Sequence, residues 1–314
     1  MVLLLSIMVG SKYIPLAEVL HLLGSPESSE NSAIVNGMRV SRTLYGLAVG
    51  VALGIAGALM QGLTRNPLAD PGLLGVSAGA SLGVVLTTSV FGITTLYGYI
   101  WFAFAGALVA TVVVYLLGSL GHGGTNPAKL ALAGAAVSAM LLSITSALLL
   151  FDSVALDKFR FWAVGSLNLP DVLTLLQVLP FLVLGVLLAV MTVPGMNLLA
   201  LGEDVAKSLG QNVTMVRLRG AVAITLLAGG ATAVCGPIAF IGLVVPHIAR
   251  AITGPDQRWV LAYSAVLAPA LLLAADVLGR VVSGDREIHV GIVVAFLGAP
   301  FFIALVRRRK LAEL

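Results

Sequence analysis

The stretch GIAGALMQGLTRNPLADPGLLGVSAGASLG, residues 54–83, is an apolar run that a short polar and proline-containing break divides in two. Small residues recur at every fourth position on both sides of the break: Gly46, Gly50, Gly54, Ala58 and Gly62 before it, and Gly75, Gly79 and Gly83 after it. Such stripes let helix backbones approach closely in lipid, where helices associate through van der Waals packing. The stretch therefore predicts two apolar helices that pack tightly together and are joined by a stiff turn.

The break contains the residues that we expect to stiffen this turn. They are a polar and proline-rich set bounded by two glycines: Gly62, Asn66, Pro67, Asp70, Pro71 and Gly75. Proline fixes its own backbone torsion and glycine tolerates left-handed conformations, so both are typical of turns. We interpret the set as a structural motif.

Composition places the whole chain in a membrane. Of its 314 residues, 59% are hydrophobic and only 10% are charged, and the mean hydropathy is +1.06. Soluble domains carry about 25% charged residues. The net charge of +4 comes from basic residues scattered between apolar runs, which indicates topology signals rather than a nucleic-acid-binding face. The single cysteine, Cys235, excludes an internal disulfide or a thiolate metal cluster.

The chain is predicted to be an all-α polytopic membrane protein with about ten transmembrane helices in one domain, residues 1–314. Nine apolar windows have spanning length: 43–64, 74–92, 98–118, 129–151, 171–193, 215–235, 237–252, 259–282 and 288–306. Residues 1–9 would span only about 14 Å as a helix, against about 30 Å for a bilayer core. We interpret them as the distal part of a first helix that begins upstream.

The charge distribution favours a cytoplasmic C-terminus. Under that orientation eleven Lys and Arg residues lie inside and seven lie outside. Helices 2–5 and 7–10 then run in opposite directions, and each set begins with a helix that ends in glycine and proline (Gly62 and Pro67; Gly236, Gly242 and Pro246). Paired interruptions of this kind indicate an inverted repeat. The topology puts residues 65–72 at the cytoplasmic end.

Two groups of residues leave other functional classes open. Gly75, Ser77 and Gly79 form a G-x-S-x-G pattern, so an intramembrane serine protease with His247 or His289 as its base is one alternative. Asp276 lies inside an apolar run four residues before Arg280. The pair either neutralises itself or serves an ion-gradient-coupled secondary transporter.

Metal and nucleotide chemistry are not expected in this chain. No histidine has two Cys, Asp, Glu or His partners at helical spacing, and no third ligand is apparent beside Glu287 and His289, which argues against a metal site. A Walker A sequence is absent, so the chain itself is not expected to hydrolyse nucleotide. We predict no cofactor and no catalytic residues.

Four stretches closely resemble the FecCD permeases, the membrane subunits of type II ABC importers for iron-siderophores, haem and vitamin B12. They are RTLYGLAVGVALGIAGALMQGLTRNPLADPGLLGVSAGA (42–80), LALGEDVAKSLG (199–210), GPIAFIGLVVPHIAR (236–250) and EIHVGIVVAFLGAPFFIALVRR (287–308). The resemblance covers nearly everything from residue 39 onward, and NPLADPGLLG is its most specific part.

The resemblance implies an importer permease in the cytoplasmic membrane of a bacterium or archaeon, with an iron-siderophore as the favoured cargo. It implies a second permease copy or a sister permease, two cytoplasmic ATPase subunits and an extracytoplasmic substrate-binding protein or lipoprotein. Membrane lipid surrounds the assembly, and nucleic acid is not a partner.

The resemblance also assigns roles to three groups of residues. The loop at about 196–216 would couple to the ATPase through Leu199, Gly202, Glu203, Ala206, Leu209 and Gly210. Arginines would engage carboxylates of the binding protein at Arg39, Arg42 and Arg280. Val40 and Ser41 replace the Leu-Pro that the family usually has between the first two arginines. Small polar residues of the helix at 129–151 would line the pathway at the subunit interface: Ser138, Ser143, Thr145 and Ser146.

Overall fold

The described part of the chain consists of helices and their connections. The computed structural model describes residues 1–10, 12–24, 29–120, 127–169, 171–282 and 287–312. The first helices are α1 (Val2–Met8), α2 (Leu16–Gly24), α3 (Glu30–Thr64), α4 (Val76–Phe91), α5 (Leu96–Ser119) and α6 (Pro127–Phe151). Then follow α7 (Ser153–Ala163), α8 (Val172–Ala200), α9 (Glu203–Ser208), α10 (Val213–Cys235), α11 (Ile241–Thr253), α12 (Gln257–Val282) and α13 (Val290–Ala312).

Six of these helices are long and apolar enough to cross a membrane, namely α3, α5, α6, α8, α10 and α12. Three more apolar helices are shorter: α4, α11 and the segment Val290–Leu305 of α13. Each of the nine apolar windows of the sequence corresponds to one of these helices, so the prediction of an all-helical membrane protein is confirmed. The count of ten spans stays a prediction, because α1 has only seven residues.

The first stripe of small residues lets α3 touch two helices that are distant in sequence. A Cβ on Gly50 would lie 2.4 Å from Cα of Pro269 in α12, and a Cβ on Gly57 would lie 2.0 Å from the carbonyl oxygen of Gly242 in α11. These distances are far below van der Waals contact. Glycine is therefore required for the backbones of α3, α11 and α12 to approach as closely as they do.

The second stripe faces a different neighbour. A Cβ on Gly79 would lie 2.2 Å from the carbonyl oxygen of Gly106, and one on Gly83 would lie 2.2 Å from that of Phe102, both in α5. Helices α3 and α4 do not pack along each other. The prediction that the two stripes pack together was therefore wrong, because the connection at residues 65–75 is long enough to send α4 to a separate partner.

The connection at residues 65–75 folds back into the bundle. Arg65 ends α3 with a left-handed backbone, φ 50°, and Asn66 and Asp70 accept hydrogen bonds from the amides of Leu68 and Gly72 at 3.0 and 2.8 Å. The Cδ of Pro71 lies 3.3 Å from a Cβ placed on Gly242. Gly242 packs on Gly57, about two turns before the end of α3.

The structure changes the predicted location of part of the structural motif. Gly75 is left-handed at φ 75° and starts α4, as expected of a turn glycine. Arg65 and Asn66 are exposed at the end of α3, whereas Ala69 and Leu74 are buried. Residues 70–72 therefore lie deeper in the protein than the predicted cytoplasmic corner.

We expect Gly57→Ala to destabilise the protein, because its Cβ would collide with the carbonyl oxygen of Gly242. Overpacking of this kind costs about 1–3 kcal/mol. The melting temperature of the detergent-solubilised protein should therefore fall by about 5 °C.

The matched control is Gly37→Ala, since a Cβ at Gly37 meets nothing within 4 Å. Equal melting temperatures for the two variants would contradict the close packing of α3 on α11.

Candidate functional site

An ion-pair cluster lies at the end of the bundle that carries α1, α2 and α7. The predicted topology places this end outside the membrane. We call this the outer end, and the opposite end, with α9, the inner end. Nε of Arg42 donates to Oδ1 of Asp276 at 2.9 Å, and Nη1 of Arg42 donates to Oε2 of Glu287 at 2.8 Å. Nη2 of Arg280 lies 3.2 Å from Oδ2 of Asp276. These four side chains, with Arg39, form the outer charge cluster.

The outer charge cluster also holds the first segment of the chain. Nη1 of Arg280 donates to the carbonyl oxygen of Ser6 at 3.1 Å. Nη1 of Arg39 donates to the carbonyl oxygens of Ile7 and Met8, both at 2.9 Å, and Nη2 donates to that of Lys12. The arginines therefore fix α1 and its following turn against α3 and α12.

The side chains of the outer charge cluster differ in their exposure to solvent. Arg39 and Arg42 are 4% exposed, Arg280 is 3% exposed and Asp276 is fully buried. The side chain of Glu287, at 31%, is the most accessible. Sequence spacing predicted the pairing of Asp276 with Arg280, but it gave no sign of Arg42 as the second partner. The three predicted docking arginines meet at one place, and their guanidinium groups are engaged within the chain.

At the inner end, α9 presents the predicted coupling segment. Glu203 pairs with Lys207 at 3.1 Å and with Arg217 of α10 at 2.7 Å. The hydrogen bonds from Lys207 and then Arg217 lower the pKa of Glu203 below its usual value, although burial opposes the shift. Gly202 and Gly210 flank the helix with φ of 120° and 81°, so both turns need glycine.

Exposed apolar side chains follow one face of this segment. Leu201, Val205 and Leu209 are 65%, 44% and 60% exposed. Leu209 was among the predicted residues, but Leu201 and Val205 were missed, although their spacing of four could have revealed them. Leu199 and Ala206 are buried, at 3% and 0%, so they support the segment from below.

Near the inner end, the buried side chain of Gln61 donates hydrogen bonds to backbone carbonyl oxygens of α11. Pro246 lies inside α11 and has no backbone N–H, which leaves the carbonyl oxygen of Gly242 without its helical donor. Nε2 of Gln61 points to that oxygen at 3.4 Å and donates to the carbonyl oxygen of Leu243 at 3.0 Å. Arg250 donates to Oε1 of Gln61 at 3.1 Å. These contacts fix the inner half of α3 to α11.

Helix α6, with the predicted pathway residues, is the least enclosed of the six long spans. Only 17% of its apolar window is buried. Ser143 and Ser146 are exposed, whereas Thr145 is buried and Ser138 is partly buried. The four residues therefore divide between an outward face and an inward face, and they do not form one polar stripe.

The described residues do not bring together the side chains that a serine hydrolase or a metal site would need. Ser77 borders a small cavity with Asp70 and Thr232, and neither His247 nor His289 lines it. His247 packs edge-on against Phe301, with ring centroids 6.0 Å apart. Within the described ranges, no group of three His, Cys, Asp or Glu residues could hold a metal ion.

Comparison with known proteins gives one consistent match. The model of the FecCD transport family matches residues 1–308. The ferric enterobactin transport system permease protein FepD of Escherichia coli K12 is 48% identical over 306 residues, which cover 97% of this chain and 91% of the relative. The hemin transport system permease protein HmuU of Yersinia pestis is 41% identical over 282 residues, 87% of this chain and 83% of the relative.

Two solved structures have a fold similar to that of this chain. An inward-facing metal-chelate type ABC transporter superposes with a TM-score of 0.83 at 26% identity, covering 98% of this chain and 94% of that one. The structure of PsaBC from Streptococcus pneumoniae has a TM-score of 0.57 at 16% identity, covering 92% and 95% of the two chains, and shows similarity of fold alone.

We expect Asp276→Asn to destabilise the protein strongly. The substitution keeps the size of the side chain but leaves Arg42 and Arg280 with one fewer buried counter-charge. Breaking a buried ion pair costs about 3–5 kcal/mol. Thermal unfolding in detergent would measure the loss.

Asp157→Asn is the control, because Asp157 forms an exposed pair with Arg160 at 3.2 Å. Unfolding of the Asp276 variant at the same temperature as this control would show that the cluster does not stabilise the outer end.

Proposed function

The chain belongs to the FecCD transport family, and from this premise we propose that it carries an iron-siderophore chelate across the membrane. It is a multi-pass permease subunit of an ABC importer in the cytoplasmic membrane of a prokaryote. The permease has no catalytic site of its own, and ATP hydrolysis belongs to a separate ATPase.

Sequence identity supports the choice of cargo. The relative that is 48% identical over 97% of the chain transports ferric enterobactin, as its name says, and this observation carries the proposal. Relatives named for hemin transport, Fe(3+)-citrate import and cobalamin import are 41%, 40% and 36% identical, all below the ferric enterobactin relative. An iron-siderophore is therefore favoured over haem and cobalamin.

We propose that two permease subunits, as a homodimer or with a sister permease, enclose the pathway between their α6 helices. The low burial of α6 in a single chain supports this arrangement, because a partner would cover its open face. Ser143 and Ser146 lie on that face and would line the pathway, whereas Thr145 points into the subunit. The proposed subunit has ten spans, with helices α3–α6 and α10–α13 as inverted repeats.

The inner end suits a soluble partner. We propose that α9 and its flanking turns contact one of two ATPase subunits through Leu201, Val205 and Leu209. Exposed apolar side chains next to charged ones are typical of a protein interface. The ion pair of Glu203 with Arg217 would hold α9 on α10, so that movement of the ATPase reaches the spanning helices.

At the outer end, we propose that an extracytoplasmic substrate-binding protein docks over the outer charge cluster. The arginines outnumber the carboxylates by three to two, so the cluster attracts an acidic partner. Glu287 is its most accessible member and binds Arg42. A carboxylate of the binding protein could replace Glu287 on Arg42.

Reconstitution would test the transport function. Proteoliposomes that contain the permease and its ATPase, with binding protein outside the membrane, should take up a ferric siderophore only when ATP reaches the ATPase. The cargo can be distinguished by offering ferric siderophore, haem and cobalamin to the same preparation. Uptake by the permease alone, driven by a proton gradient, would instead support an ion-gradient-coupled carrier, and labelling of Ser77 by a serine-reactive probe would support a protease.

Leu209→Glu is expected to reduce ATP-driven uptake at least tenfold, because a charge on the apolar face of α9 would oppose the ATPase contact. Leu20→Glu is a matched control at the outer end, since Leu20 and Leu209 are both 60% exposed. Co-purification of the ATPase gives a second readout. Normal uptake by the Leu209 variant would place coupling elsewhere.

Arg42→Lys is expected to weaken binding of the substrate-binding protein by about tenfold, because lysine keeps the charge but loses the planar fork that binds two oxygens. Arg160→Lys on α7 is the control, since Arg160 is exposed at the same end. Surface plasmon resonance on the reconstituted permease measures the affinity. An unchanged affinity would reject Arg42 as a docking residue.

A further inference from the structure

Arg219 is an exposed arginine on the membrane-spanning helix α10, and none of the functions described above uses it. Helix α10 has 23 residues, so it is about 34 Å long, close to the thickness of about 30 Å of a bilayer core. Arg219 is the seventh residue of the helix and lies about 9 Å from its inner end. A charge at this depth is costly unless it meets an opposite charge or reaches the lipid headgroups.

The protein does not supply an opposite charge for Arg219. Among the residues that the structure describes, its side chain forms no hydrogen bond or ion pair. Arg217, two residues earlier, differs in this respect, because its side chain is 13% exposed and its Nη2 binds Oε2 of Glu203 at 2.7 Å. Glu203 also pairs with Lys207, so its carboxylate is occupied. The guanidinium donors of Arg219 are therefore open to a partner from outside the chain.

Apolar side chains accompany Arg219 on the exposed face of α10. Three of them are exposed to nearly the same extent, at 40%, 43% and 41%, and recur at intervals of three and four residues: Met215, Leu218 and Val222. Residues at these intervals lie on one side of a helix. The face therefore combines a strip of apolar side chains with one unpaired positive charge.

The direction of the helix carries the arginine toward the inner end. The Cα–Cβ bonds of an α-helix tilt toward its N-terminus. Helix α10 begins at Val213, at the inner end, so the side chain of Arg219 leans that way. An arginine can keep its apolar stem along the helix while its guanidinium lies among the headgroups. Leu218 and Val222 then contact the tail region of the same leaflet.

The charges of this region favour an anionic headgroup. Residues 196–224 contain two acidic and three basic side chains, which leaves a net charge of +1: Glu203, Asp204, Lys207, Arg217 and Arg219. Basic side chains on the cytoplasmic side of spanning helices attract anionic lipids. The planar guanidinium of arginine also matches two oxygens of a phosphate group.

We propose that this face of α10 binds an anionic phospholipid of the inner leaflet. The phosphate would accept two hydrogen bonds from the guanidinium of Arg219, and the tails would lie along Leu218 and Val222. The bound lipid would lie near α9. Its binding depends neither on the proposed cargo nor on the proposed ATPase contact.

Native mass spectrometry of the full chain in detergent tests the proposal. Palmitoyl-oleoyl phosphatidylglycerol and the corresponding phosphatidylcholine have the same tails, but only the first has a net negative charge. We expect one phosphatidylglycerol to bind per permease, about fivefold more tightly than phosphatidylcholine. Arg219→Gln should weaken this binding about tenfold, because a charge-assisted hydrogen bond is lost. Arg219→Lys should weaken it less, since lysine keeps the charge.

Arg65→Gln is the matched control for the charge, because Arg65 is also exposed at the inner end but belongs to the connection that follows α3. The apolar strip has its own control. Leu218→Ser should weaken the binding of both lipids, whereas Leu278→Ser on α12 should not, although Leu218 and Leu278 are 43% and 44% exposed.

Equal affinity for the two lipids, or equal losses in the Arg219→Gln and Arg65→Gln variants, would overturn the proposal. Repeating the measurement with the ATPase bound distinguishes a lipid from a protein partner. Displacement of the lipid by the ATPase would assign this face to the ATPase and would also overturn the proposal. None of these results would decide which cargo the permease carries.

Discussion

The structure depends on the contact of the α3 backbone with α11 and α12. In lipid, an apolar side chain gains little free energy by moving from lipid tails to a protein interface, because both are apolar. Helix association therefore depends on close packing. Gly50 and Gly57 supply this packing, since a Cβ at either position would overlap the backbone of the neighbouring helix. The other helices are arranged around this central group.

Polar contacts fix both ends of the same helix. At its outer end, Arg42 of α3 binds Asp276 of α12 in a site closed to solvent. Near its inner end, Gln61 satisfies the carbonyl groups that Pro246 disturbs in α11. A buried ion pair or hydrogen bond adds specificity more than it adds stability, because its partners must meet in one geometry. These contacts fix how α3 lies along α11 and α12.

The two proposed partner surfaces are connected through this helix. Gly62, near the inner end of α3, packs on Met196 of α8, and Leu63 packs on Gly220 of α10. Helices α8 and α10 flank α9, the segment proposed to contact the ATPase. The outer charge cluster lies at the other end of α3. A rigid shift of α3 would therefore affect both surfaces, although the glycine contacts permit only small sliding without loss of packing.

The sequence by itself determined the class of the protein, the nine apolar helices and the family. Apolar length is a local property, and NPLADPGLLG is a continuous motif, so neither requires knowledge of contacts. Helical spacing also predicted the pair Asp276 and Arg280, and the glycine stripes predicted close packing. Only the tertiary structure decided which helices those stripes touch and that Arg42 completes the pair. Arg42, Asp276 and Glu287 come together from distant parts of the chain, because packing in three dimensions brings residues together that no spacing along the chain relates.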